Sequence, residues 1–260
     1  MEVTHSQRQR DGVAAGSHEY LEDNMSSIKS TARLAGILYF LMAVLSILKT
    51  FYFSPAFIVP GDAAATALNI TNGEQLYRLG ILVGFVALIL FLFLAWKLYE
   101  LFKDVDKKQA RLMLILVTVG IGMALVNMIH GFAPLIFLSG ADFLSVFTKP
   151  QLDALALGFL KLRSSGTLVV TVFWGLWLIP FGILVYKSGF LPKILGVLLI
   201  LAGCAYPIQS FTSIALPAHA QIVSKILLPL QFGELPIIFW LLVKGAKVPP
   251  NQALKLTVES

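Results

Sequence analysis

The chain has 260 residues, 57% of them hydrophobic and only 13% charged, with a mean hydropathy of +0.82. A soluble domain carries roughly 25% charged residues, and several runs here of about 20 residues hold almost no charge. A water-soluble globular fold is therefore excluded, and the composition predicts an all-α integral membrane helical bundle. The net charge of +6 does not indicate nucleic-acid binding, because Lys and Arg gather in the short connections of one side, as the positive-inside bias predicts. The single cysteine, Cys204, leaves no disulfide framework and no thiol–metal site.

Residues 1–30 are polar and aperiodic and read as a disordered cytoplasmic tail. His5 and His18 lie there without the carboxylate or thiol spacing of a metal site. No cleavable leader pattern is seen, so the first apolar run reads as a retained signal-anchor helix. That span is about Leu34–Phe53. Gly36, Tyr39, Ala43, Ser46 and Thr50 share one of its faces, a small-residue stripe suited to close packing in lipid. Lys49 lies beside this stripe and either snorkels outward or turns inward toward a buried acid.

An external segment, 54–77, follows. Pro55 and Pro60-Gly61 break the helix, and Asp62 is placed to cap a short helix over Ala63–Ile70. The second span is about Arg78–Trp96, and the basic connection Lys97–Arg111 fixes the cytoplasmic side. The third span, about Leu112–Gly131, puts Asn127 and His130 one turn apart, and Pro134 ends or kinks it.

In the second external segment, 135–163, Thr148 and Gln151 form a capping box, opening an interfacial amphipathic helix that leads to the next span. The fourth span is about Ser164–Tyr186, with Arg163 at its edge and Pro180 as a kink. Trp174 and Trp177 read as facing lipid or core rather than a ligand. The fifth span, about Leu191–Phe211, carries Pro207 and Gln209. The sixth, about Lys225–Val243, carries Gln231 and Glu234. A short cytoplasmic tail, 247–260, closes a chain whose membrane domain is 31–246. Six spans put both termini on the cytoplasmic side of an inner membrane, with the short interfacial helices outside.

Glu234 is the costliest residue, since a charge at mid-depth costs about 3 kcal/mol on insertion scales. At 1.5 Å per residue, Lys49, Asn127 and Gln209 lie roughly 24 Å above their inner ends, Gln231 roughly 20 Å and Glu234 roughly 15 Å. His130 sits slightly above Asn127, and Arg78 and Arg163 lie just beyond. This clustering by depth predicts a polar cavity in the outer half, lined by Glu234, Gln231, His130, Asn127, Lys49, Gln209, Arg163 and Arg78, that binds a small polar or lipid-headgroup ligand. The alternative is a structural or accessory membrane protein in which Glu234 is neutral, or pairs with Lys49 or Arg78, and only specifies packing. Proton-coupled transport and an intramembrane hydrolase using His130 with Ser164 or Ser165 are more distant. No cofactor is expected, because phosphate-cradling, paired-Asp and zinc-helix motifs are all missing.

Several ordered stretches carry a family resemblance: Ile58–Ile70, Gln75–Gly80, Gln151–Leu157, Gly189–Leu199, Gly233–Leu235 and Trp240–Gly245. Together they resemble the bacterial polytopic membrane family known as domain of unknown function 4386, over about residues 30–246. The resemblance implies an inner-membrane protein with this span pattern. It implies no activity, substrate or cofactor.

Overall fold

The structure is a computed structural model that describes the backbone of residues 3–246 and the side chains of residues 26–246. Among the described residues it is helical throughout, without strands. Six stretches of the described residues are long and apolar enough to cross a membrane: Ser26–Phe57, Glu74–Phe102, Lys107–Phe137, Lys149–Ser188, Lys193–Ala215 and Pro217–Val243. The number of spans matches the sequence reading, and several boundaries move.

The first span is built on α1 (Val3–Leu48). The tail expected over 247–260 lies outside the described residues. The tail expected over 1–30 lies outside the described side chains, save for Ser26–Ser30, which are helical and continuous with the span. Near Pro55 the helix does not stop. It widens into a π-helical turn, Lys49–Phe53, and resumes as α2 (Ser54–Phe57). Proline lacks an N–H and crowds the carbonyl four residues earlier, and a widened turn relieves that conflict without ending the helix.

The short helix α3 (Ala63–Asn72) is capped as expected, Asp62 accepting from the Ala65 N–H at 2.9 Å. The second span is α4 (Glu74–Phe102). The third is α5 (Lys107–Ile129), followed after a short turn by α6 (Ala133–Phe137), with Pro134 in the first turn of α6 where its missing donor costs nothing.

The fourth span corrects the expected layout. The capping box at Thr148 and Gln151 is present, but the helix it opens, α7 (Lys149–Leu176), runs unbroken into the membrane segment. No turn residue separates the amphipathic part from the apolar part. The interruption comes at Trp177, three residues before Pro180, and α8 (Leu178–Ser188) completes the span. The fifth span is α9 (Lys193–Ala215). The sixth is broken: α10 (Ala220–Gln231) and α11 (Leu235–Val243) flank a 3₁₀ turn over Phe232–Glu234. Gly233 and Pro236 sit at this junction, where a continuous run was expected.

Successive spans pack on one another, and α11 packs on α1, closing the ring at the end that carries the termini. Backbones approach closely there. A Cβ on Gly36 would lie 2.4 Å from the Leu242 nitrogen, and one on Gly196 would lie 2.5 Å from the Gly182 carbonyl oxygen. Such contacts are how helices associate in lipid, where apolar burial gives little drive. The terminal half is solid: Leu94, Leu98, Phe102, Phe181, Leu184 and Leu241 are fully buried in it. In the other half α10 packs against α9, and the bundle is hollow.

Candidate functional site

The hollow is a cavity of about 590 Å³, within the roughly 300–1,000 Å³ range of small-molecule sites. Its floor is aromatic. Trp177, at the α7–α8 break, stacks on Phe181 with ring centroids 5.4 Å apart and meets Phe91 at 5.2 Å and Tyr39 at 6.1 Å. Trp177 thus belongs to the core, as expected, but it and Trp174 also line the cavity, where neither was expected to face a ligand. The Trp174 indole N–H is buried without a hydrogen-bond partner among the described residues.

Glu234 stands at the floor, at the end of the 3₁₀ turn. Breaking the helix there swings the carboxyl between α1 and α9. The Tyr39 hydroxyl donates to Oε1, and the Tyr206 hydroxyl reaches Oε2 at 3.4 Å. A Cβ on Gly233 would lie 2.8 Å from the Leu198 carbonyl oxygen, so glycine allows the turn to seat against α9.

Lys49 and Arg163 occupy the opposite end of the cavity. Lys49, which opens the π-helical turn after α1, lies ten residues beyond Tyr39, about 15 Å along the helix axis. Both basic side chains are accommodated by glycine. A Cβ on Gly84 would lie 3.0 Å from Lys49 Nζ, and one on Gly131 would lie 3.0 Å from a terminal nitrogen of Arg163. They also share a small adjoining pocket lined by Tyr77, whose hydroxyl donates to the Gly131 carbonyl at 2.8 Å. Among the described residues, no carboxylate lies within ion-pair distance of either.

Asn127 links the third and fourth spans. Its amide donates to the Arg163 carbonyl at 3.0 Å and to the Thr167 hydroxyl at 3.2 Å, and its Oδ1 lies 3.2 Å from His130 Nδ1. A Cβ on Gly166 would collide with this amide at 2.2 Å.

Of the residues singled out from sequence, four line one cavity: Glu234, Asn127, Lys49 and Arg163. Four do not. His130 sits behind Asn127 beside Phe159. Gln209 and Gln231 bond to each other across α9 and α10, and Gln209 also donates to Ser224 at 3.2 Å. Arg78 is exposed and pairs with Glu74 at 2.7 Å on its own helix. The expected pairing of Glu234 with Lys49 or Arg78 is not formed, because phenol hydroxyls hold the carboxyl instead. Tyr206 was not singled out, and Tyr39 counted only as part of a stripe. Tyr39 falls on the same face as Ser46 and Thr50, which was the available signal for it.

Comparison with known proteins adds a family and no chemistry. The model of a family described as Domain of unknown function (DUF4386) matches residues 34–245. An uncharacterized protein of Archaeoglobus fulgidus is 38% identical over 80 residues, covering 30% of this chain. The chain matches only 44% of that relative's length. No solved structure matches.

Proposed function

The chain belongs to the DUF4386 family, and because membership specifies no activity we propose, from its cavity, that it is a multi-pass membrane protein that binds a small polar or lipid-headgroup ligand inside the bundle. The observation that carries this reading is the state of Glu234. A carboxylate has about four lone-pair sites. Two hydroxyls occupy one site on each oxygen, and the carboxyl borders the cavity. Capacity remains to accept an O–H or N–H from a bound molecule. An acid serving packing alone, whether neutral or ion-paired, is expected to close all of its sites on protein partners and leave none facing a cavity.

The terminal face carries Lys29, Arg33, Lys97, Lys103, Lys107, Lys108, Lys187 and Lys193. The positive-inside bias supports placing that face, with both termini, on the cytoplasmic side of the membrane, and the cavity in the outer half. Gln209 and Gln231 belong to a different role. Closed on each other, they supply an interhelical polar contact that tethers α10 to α9.

Native mass spectrometry of protein gently extracted from its own membrane tests the proposal. The wild type is expected to retain a non-covalent adduct. Ala87→Phe, which fills the cavity from α4, is expected to lose it while keeping its melting temperature within a few degrees. Absence of an adduct, or its undiminished retention by the filled variant, contradicts a ligand site.

A further inference from the structure

Resting on that reading, we infer that the ligand is an anionic phospholipid whose phosphate is held between Lys49 and Arg163, and that it enters sideways from the bilayer past α1 and α7.

Three observations lead there. First, two basic groups from different spans converge on one end of the cavity and its small side pocket, with no carboxylate in ion-pair reach among the described residues. Like charges brought together within a membrane protein are unfavourable unless an anion joins them. Arg supplies a planar fork that bonds phosphate oxygens in pairs, and Lys supplies a mobile point charge. Gly84 and Gly131 leave the room that both side chains fill.

Second, the wall between the basic end and Glu234 is largely apolar, including Met42, Leu88, Phe91 and Leu168. A free inorganic anion gains nothing from such a surface, whereas an amphiphile does.

Third, the ring of helices is incomplete in this half. The sixth span leaves α1 at the Phe232–Glu234 turn, and α10 leans on α9 and adds no residue to the cavity wall. Ser46 on α1, Thr50 in the π-helical turn that follows it, and Ser164 and Thr167 on α7 line the cavity and are exposed. They mark a polar mouth in a membrane-facing flank, beside exposed Leu48, Phe51 and Leu162. A headgroup fits the cavity volume, and its acyl chains stay in the bilayer outside this mouth.

The test uses the full-length protein in neutral detergent, titrated with phosphatidylglycerol, with phosphatidylcholine or with inorganic phosphate, and read by native mass spectrometry and thermal shift. Phosphatidylglycerol is expected to bind and raise the melting temperature, while inorganic phosphate has no effect. Lys49→Gln and Arg163→Gln are each expected to weaken phosphatidylglycerol binding roughly tenfold or more, a cost typical of losing one charge-assisted partner. Thr50→Trp, which leaves both basic groups in place and blocks the mouth, is expected to abolish it, keeping the test intact if the other variants fold poorly. The inference is overturned if phosphatidylcholine binds as tightly and Lys49→Gln and Arg163→Gln change nothing, if inorganic phosphate binds as well as the lipid, or if Thr50→Trp binds normally. Those outcomes leave a cavity ligand of other chemistry possible. Loss of every adduct from the native membrane removes the cavity-ligand reading itself.

Discussion

Tyr39 is fully buried, yet its hydroxyl is committed to the Glu234 carboxyl. Replacing it with Phe keeps the ring against Trp177 and removes a donor from Glu234. A buried polar group left short of a partner costs about 1–3 kcal/mol. Tyr39→Phe is therefore expected to lower stability by that amount in denaturant or thermal unfolding, and Tyr206→Phe by less, since its contact is longer at 3.4 Å. A Tyr39→Phe protein as stable as wild type would show that the hydroxyl does not support the carboxyl. Glu234 was legible in the sequence because an intramembrane acid is conspicuous in an apolar run. Its partners were not, because the sequence gives each helix its own face but not the rotation of one helix against another. Lys49 and Asn127 fell into place by depth. Arg78, at a helix end, found Glu74 one turn away and stayed outside.

At the scale of elements, hydropathy located all six spans but not the interruption within the last. Pro229 lies inside α10, and Pro236 stands in the first turn of α11, where proline is well tolerated. Only packing chose Phe232–Glu234 as the place to turn. The connections are also joined in a way the sequence does not announce. Lys187, in the last turn of α8, donates to Asp106 at 2.7 Å, and Asp106 also accepts from the Gln109 N–H at the start of α5. The Lys187 ammonium, with the helix-start amides, holds the Asp106 carboxyl below the usual carboxylate range. A depressed pKa contributes stability that is complete above the unfolded value, about 3.9, and is lost as pH falls through the folded value. Asp106→Asn keeps a capping side chain and loses the ion pair. It is expected to be less stable than wild type at pH 7, by under about 1 kcal/mol for so exposed a pair. The difference should shrink below about pH 4. A difference that stays constant into acid would show that the pair is not its source.

At the scale of the whole molecule, the chain divides its labour along the bundle axis. The terminal half is sealed by backbone-close glycine contacts and a solid apolar core. The other half keeps its helices apart around a cavity with an acid at the floor and two basic groups at the far end. The two halves meet at the α7–α8 break and the 3₁₀ turn, where Trp177 and Glu234 stand. Stability and binding can therefore be changed separately, one in each half. The central claim, that the cavity is open to a ligand and not closed by internal ion pairs, is met most directly by an experimental structure of the wild-type protein in lipid nanodiscs. The account predicts non-protein density between Lys49 and Arg163, with Tyr39 and Tyr206 still on the Glu234 carboxyl. A collapsed cavity with Lys49 or Arg163 bonded to Glu234 would contradict it.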